Sequence, residues 1–176
     1  MPEKIYLKFR NETGWKFFSA LVAEALACLL LFAWRGRAFG GIRTLDEQWF
    51  YDPATVFGVL KDLDAIGKLP LYAVTEITLD LVFPVVYVAL FVFLIVRLFP
   101  PRAGGYLLLA PLLAGAADLA ENFSIAFLAF SGNPEIRPLA LAVTVFSTSK
   151  WLLVYLSLLV TLGGAAFRLS GKISRT

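Results

Sequence analysis

Four long runs of apolar residues constrain the fold of this chain more than any other feature. They cover residues 15–34, 70–98, 105–130 and 138–167. A helix of about 20 residues crosses the hydrocarbon core of a bilayer, which is about 30 Å thick. Of the chain, 59% is hydrophobic and 16% charged, whereas soluble domains are about 45–50% apolar. The sequence therefore predicts an all-α integral membrane protein, in which a four-helix transmembrane bundle forms a single domain over all 176 residues.

The connection between the first two spans carries the signals of a short amphipathic helix. Asp52 suits an N-cap, Pro53 the first helical position and Gly67 the stop. Apolar residues recur on one face between them, at Val56, Leu60 and Leu63. We therefore predict an amphipathic helix over residues 53–66 that lies on the membrane surface or caps the bundle. With the aromatic segment 49–51 before it, this helix would cover the bundle from the outer side.

Polar residues interrupt the third span in the stretch GAADLAENFS, residues 115–124. Asp118, Glu121 and Asn122 are spaced i, i+3 and i+4, so their side chains share one face of a helix. Ionisable groups inside a membrane are costly and usually face the bundle interior. This stretch is therefore the centre of the predicted site.

Each of the other three spans supplies an ionisable group at a similar depth. Glu24, Asp80 and Lys150 lie within roughly 6 Å of the depth of Asp118, measured along the helix axes. We expect Glu76 to lie nearer the outer surface, solvated. The predicted ligand-binding residues are Glu24, Asp80, Asp118, Glu121, Asn122 and Lys150.

The charges of these residues do not cancel. Four carboxylates face Lys150 alone, and burial of an unpaired charge is very costly. Protonation, water, a cation or a cationic ligand must offset the difference. We predict that Lys150 pairs with Asp118 or Glu121 and that Asn122 bridges the pair. Packing is the alternative interpretation, because polar groups between transmembrane helices often serve only to join them.

Backbone and side-chain details refine this picture. Pro84 cannot bond the carbonyl of Asp80, so it predicts a kink and a free backbone acceptor there. Tyr87 is expected to pack in the core, and Cys28 to behave as a small buried apolar residue. The polar stripe of the fourth span fits helix packing, at Ser147, Ser157 and Thr161.

Three functions are compatible with such a site. The first is binding or translocation of a small polar ligand, a lipid headgroup or a cation. The second is an accessory or scaffold subunit of a larger membrane complex. The third is an intramembrane hydrolase that uses a carboxylate pair, for which Asp80, Asp118 and Glu121 are the candidate catalytic residues.

Composition limits the cofactors and partners. The chain has no histidine, which removes histidine-ligated haem, most zinc sites and Ser-His catalysis. Oxygen ligands alone would suit Mg²⁺, Ca²⁺ or Mn²⁺, but the sequence assigns no metal ligands. No basic stripe with interleaved aromatics indicates nucleic-acid binding. The expected partners are membrane lipids, and other membrane subunits or further copies of the chain.

Lysine and arginine predict the topology. Nine of them flank the spans on the side that holds both termini and the 99–105 turn, and six flank them on the other side. The positive-inside rule then places both termini in the cytoplasm. A prokaryotic inner membrane is the expected location.

Overall fold

The computed structural model describes residues 3–131 and 136–173, with side chains up to residue 171. This part of the chain is all-α, with no β-strand. The helices are α1 (Glu3–Glu12), α2 (Trp15–Ala38), α3 (Pro53–Ala65), α4 (Leu69–Glu76), α5 (Leu79–Leu98), α6 (Pro101–Leu107), α7 (Leu109–Phe130) and α8 (Arg137–Ile173). Four stretches are long and apolar enough to cross a membrane, namely α2, α4–α5, α6–α7 and α8. The predicted transmembrane four-helix bundle is confirmed, whereas the single-domain assignment stays a prediction.

The long helices α7 and α8 form the most extensive helix pair, and α5 packs against both. Helix α2 lies at the periphery and packs chiefly against α5. Its only buried side chains are Cys28 and Arg35. Much of the surface of α2 is therefore free to face lipid, and one narrow stripe faces the bundle.

Helix α3 is the predicted amphipathic helix, and it caps one end of the bundle. The Asp52 carboxylate accepts the backbone N–H of Thr55 at 2.8 Å, which is the expected N-cap. Gly67 follows with a φ of 67°, a conformation that favours glycine. The apolar face is buried against α4 and α8, at Val56, Val59, Leu60 and Leu63.

The second span is broken in a place that the sequence did not indicate. α4 ends at Glu76 and α5 begins at Leu79, and Thr78 between them has φ −126° and ψ −82°, outside the helical region. The prediction of one continuous helix with a kink at Pro84 is therefore incomplete. Interrupted helices occur at membrane depth where they line a cavity, and this break brings Glu76 and Asp80 to the same place.

The opposite end of the bundle is closed by α1. Tyr6 is fully buried, and its hydroxyl donates to the carbonyls of Ile95 at 3.2 Å and Phe99 at 3.0 Å. Gly104 makes this approach possible, because a Cβ there would lie 2.0 Å from the Tyr6 oxygen. Arg168 Nε donates to the Leu98 carbonyl at 3.2 Å. The N-terminal helix, the turn after α5 and the end of α8 therefore meet at one end.

Candidate functional site

Two clusters of buried charges lie between the helices. The first, the Lys150 cluster, comprises Asp118, Glu121 and Lys150. Lys150 Nζ lies 3.3 Å from Asp118 Oδ1 and 2.5 Å from Glu121 Oε2, and all three side chains are buried. The predicted pairing of Lys150 with these carboxylates is confirmed. Lys150 pairs with both, because Asp118 and Glu121 are one helical turn apart on the face of α7 that packs against α8.

Two tyrosines complete the Lys150 cluster. Tyr51 donates its hydroxyl to Glu121 Oε1 at 2.6 Å, and Tyr87 donates to Asp118 Oδ2 at 3.0 Å. The expectation that Tyr87 only packs in the core is wrong, because its ring packs while its hydroxyl reaches Asp118. Burial and the Glu121 carboxylate raise the pKa of Tyr51, so its phenol stays protonated and remains a donor.

Asn122 does not bridge the ion pair as we had predicted. Its Nδ2 donates instead to the backbone carbonyl of Asp80 at 2.5 Å. Pro84 lies within α5 and removes the helical donor to that carbonyl, so the buried carbonyl needs another partner. A close approach of α5 and α7 makes this contact possible, since a Cβ on Gly115 would lie 2.7 Å from Val88 Cγ2.

The second cluster, the Arg35 cluster, comprises Arg35, Asp46, Glu76 and Asp80. The guanidinium is 2% exposed. Its Nη2 donates to Asp46 Oδ2 at 3.0 Å and its Nη1 donates to Asp80 Oδ2. One arginine therefore joins α2, the connection after it and α5. A planar guanidinium suits such a double contact, because its donors are fixed in a fork.

Glu76 lies beside this pair and is fully buried. The expectation that it is solvated near the outer surface is wrong, because α4 packs between α3 and α7 and the break after Glu76 turns the chain inward. No N–H or hydroxyl group of the described residues donates to either oxygen of its carboxylate, and its neighbours are the carboxyls of Asp46 and Asp80. One oxygen each from Asp46, Glu76 and Asp80 lie within 4.8 Å of one another.

Asp46 belongs to the connection outside the spans. Burial alone would raise the pKa of its carboxyl, but the adjacent Arg35 guanidinium, and then Lys150, outweigh this and lower it. Asp46 is therefore ionised at neutral pH. The stability that comes from its pairing is present above the ordinary pKa of an aspartate, and it is lost only as the pH falls through the lowered value.

A cavity of about 420 Å³ connects the two clusters. Charged side chains line part of its wall, namely Arg35, Asp46, Glu47, Asp80, Asp118 and Lys150. Elsewhere the wall is mainly apolar and aromatic, with Phe32, Phe83, Tyr87, Phe91 and Trp151. The distance from Asp80 to Phe91 along α5 is about 16 Å at 1.5 Å per residue. The cavity wall therefore combines several charged groups with a larger apolar and aromatic surface.

The structure brings most of the predicted residues together at this cavity. Asp80, Asp118 and Lys150 line it. Glu121 and Asn122 lie directly behind them, through their contacts with Lys150 and with the Asp80 carbonyl. The structure thus gathers five of the six residues whose ligand binding we had predicted, and the binding itself stays a prediction.

Glu24 does not join them. Its side chain is exposed, and none of the hydrogen bonds and ion pairs between described residues involves it. The less exposed residues of α2 mark the face that packs against the bundle. They are Leu21, Ala25, Cys28, Phe32 and Arg35. Glu24 lies beside that stripe and not within it. The depth of Glu24 along the span was predictable from the sequence. The direction of its side chain around the helix was not, because it depends on which face of α2 packs against a neighbouring helix.

Sequence reasoning missed Arg35, Asp46, Tyr51 and Glu76. Arg35 follows Trp34 at the end of a span, where an arginine usually extends to the membrane surface. The one sequence feature that indicates a buried Arg35 is its spacing of seven residues from Cys28. This spacing places both residues on one face of α2. Asp46 and Tyr51 lie in the connection, where no periodicity indicates a direction.

The fold and the buried charges define this protein as a transmembrane four-helix bundle with an acidic and basic interior site. Comparison of the chain with protein families, with curated proteins and with solved structures finds no match. The function must therefore be argued from the site.

Proposed function

We propose that the protein binds an amphiphilic membrane molecule, a lipid or a lipid-like compound, in the cavity between α2, α5 and α8. The amphipathic shape of the cavity carries this proposal. The ion pair of Arg35 with Asp80 lies at the start of α5, and the aromatic lining continues along this helix to Phe91. Ligand sites are typically concave and mostly apolar, with a few polar groups that fix orientation.

The charged side chains of the cavity indicate the headgroup. Five carboxylates and two basic side chains form the two clusters, so acceptors are in excess. A headgroup with N–H or O–H donors would satisfy these acceptors, and Arg35 and Lys150 would hold an anionic oxygen of the same headgroup. A zwitterionic headgroup meets both requirements.

Binding fits the geometry better than hydrolysis. A catalytic carboxylate dyad shares one proton between two acids. Here Asp80 is paired with Arg35 and Asp118 with Lys150, so each of the two aspartates contacts a different cation. Translocation of the ligand, and a role in a larger complex, are compatible with the same cavity.

Partly filling the cavity should weaken ligand binding. Val154 of α8 lines the cavity, and Leu152 two residues earlier is 59% exposed on the outside. We expect Val154→Phe to weaken binding about tenfold or more, because the added ring occupies space that the ligand needs and a loss of about 1.4 kcal/mol is tenfold. Native mass spectrometry of the purified protein would measure the fraction that retains a bound lipid.

Leu152→Phe is the matched control and should retain lipid like the wild type, because it adds the same ring on the outer surface. Equal retention by both variants, or no lipid adduct on the wild type, would contradict the proposal.

We also propose that both termini lie in the cytoplasm of a prokaryotic cell, with the membrane spans in its inner membrane. The excess of lysine and arginine at that end supports this orientation. A C-terminal fusion to green fluorescent protein should fluoresce, whereas a fusion of alkaline phosphatase at the same position should be inactive. The opposite pair of results would reverse the orientation.

A further inference from the structure

We propose that Asp46, Glu76 and Asp80 form a binding site for a hard divalent cation of the size of Ca²⁺ or Mn²⁺. Each residue offers one carboxylate oxygen, and the three oxygens lie within 4.8 Å of one another. Two oxygens on opposite sides of Ca²⁺, each at 2.3–2.6 Å, are about 4.6–5.2 Å apart. The spacing therefore admits a cation among them with little movement.

Glu76 supplies the independent observation. Its side chain is fully buried, and neither of its oxygens has an N–H or hydroxyl donor among the described residues. An ionised carboxylate in such a position has lost its water without replacement, which is very costly. A cation between Glu76 and its two acidic neighbours would restore that interaction.

The charge of the Arg35 cluster points the same way. Three carboxylates face one guanidinium, which leaves a formal charge of −2 when all three are ionised. A single divalent cation neutralises this charge. The guanidinium of Arg35 bonds only the Oδ2 atom of each aspartate. The Oδ1 atoms stay available as ligands, and Arg35 holds both carboxylates in position, as outer contacts do around metals.

The cation can reach the site from the cavity. Asp46 and Asp80 line the cavity wall, and Glu76 lies behind them. The ligands are oxygens only, which suits Ca²⁺, Mn²⁺ or Mg²⁺ and disfavours softer metals. Three protein ligands leave positions of the coordination sphere open toward the cavity, for water or for an oxygen of a bound molecule.

Mn²⁺ binding to the purified, chelator-treated protein tests this site directly. Electron paramagnetic resonance reports free Mn²⁺, and we expect one Mn²⁺ to be bound per chain and to be displaced by Ca²⁺. Glu76→Gln removes one charged ligand and keeps the shape, so it should weaken Mn²⁺ binding by at least about tenfold. Asp46→Asn should do the same, and it leaves the contact between Arg35 and Asp80 intact.

Glu24→Gln is the matched control, because it makes the same change at an exposed carboxylate of the membrane region and should leave Mn²⁺ binding unchanged. The site is refuted if the wild type binds no Mn²⁺, or if Glu76→Gln and Asp46→Asn bind it as tightly as the wild type. Val154→Phe should retain Mn²⁺, because it fills the apolar part of the cavity. Failure of the cation site is thus distinguishable from failure of the amphiphile proposal.

Discussion

Replacing Lys150 with methionine is expected to lower the free energy of unfolding by about 3–5 kcal/mol. Lys150 Nζ is the only basic group in contact with Asp118 and Glu121 among the described residues. Without it, two buried carboxylates one helical turn apart would repel each other and keep only the hydroxyls of Tyr51 and Tyr87 as partners. Denaturant unfolding in detergent micelles, followed by circular dichroism, would measure the loss.

Neutralising the carboxylates should rescue this variant. In the Lys150→Met background, Asp118→Asn together with Glu121→Gln removes both uncompensated charges, and we expect most of the lost stability to return. Lys61→Met is the control, because Lys61 is exposed on α3 and its loss should cost less than about 0.5 kcal/mol. A Lys150→Met protein as stable as the control would show that the ion pairs do not hold α7 and α8 together.

Replacing Arg35 with methionine should have an effect of similar size, again about 3–5 kcal/mol. The substitution leaves Asp46, Glu76 and Asp80 close together without their cation. It also removes the contacts that tie α2 and the connection to α5. The same unfolding measurement applies, and limited proteolysis of residues 39–52 should become faster as the connection detaches.

Arg35→Lys should recover only part of the free energy of unfolding that Arg35→Met loses. Its ammonium is a single point charge and cannot bond two aspartates from the fixed geometry of a guanidinium. Arg37→Met provides the matched control, since Arg37 is exposed on the same helix and should change stability by less than about 0.5 kcal/mol. Equal effects at positions 35 and 37 would mean that the Arg35 cluster contributes nothing to the fold.

These two sets of variants also separate stability from function. Ion pairs that only fix helix positions could be replaced by neutral residues without loss of ligand. A binding site would lose its lipid in the rescued triple variant at positions 118, 121 and 150, although the protein is stable. The accessory-subunit hypothesis predicts the opposite result, with full function retained after neutralisation.

Helical periodicity and depth were enough to predict the Lys150 cluster. The spacing of Asp118 and Glu121 fixes their common face, and the position of Lys150 along its span fixes its depth. Both quantities are local, and the cost of a charge in lipid forces such groups toward one another. The Asp80 carbonyl was predictable for the same reason, because Pro84 removes its donor within one turn.

The Arg35 cluster was not predictable in this way. It brings together residues from α2, the connection, α4 and α5, and the break at residues 77–78 decides that Glu76 and Asp80 meet. No glycine or proline marks that break in the sequence. Its geometry follows from packing between segments that are distant along the chain, so no local pattern indicates it.

The sequence by itself determined that the chain is a bundle of four transmembrane helices with an amphipathic helix at one end, because burial of apolar length and hydrogen bonding of the backbone leave lipid-embedded segments few alternatives. It also determined the depth of the charged residues. The tertiary structure alone decided which of them face one another. In the folded protein Glu24 is exposed, Arg35 and Glu76 are buried, and a cavity lies between the helices. The sequence did not indicate these features, because the direction of a side chain depends on which helix packs against it.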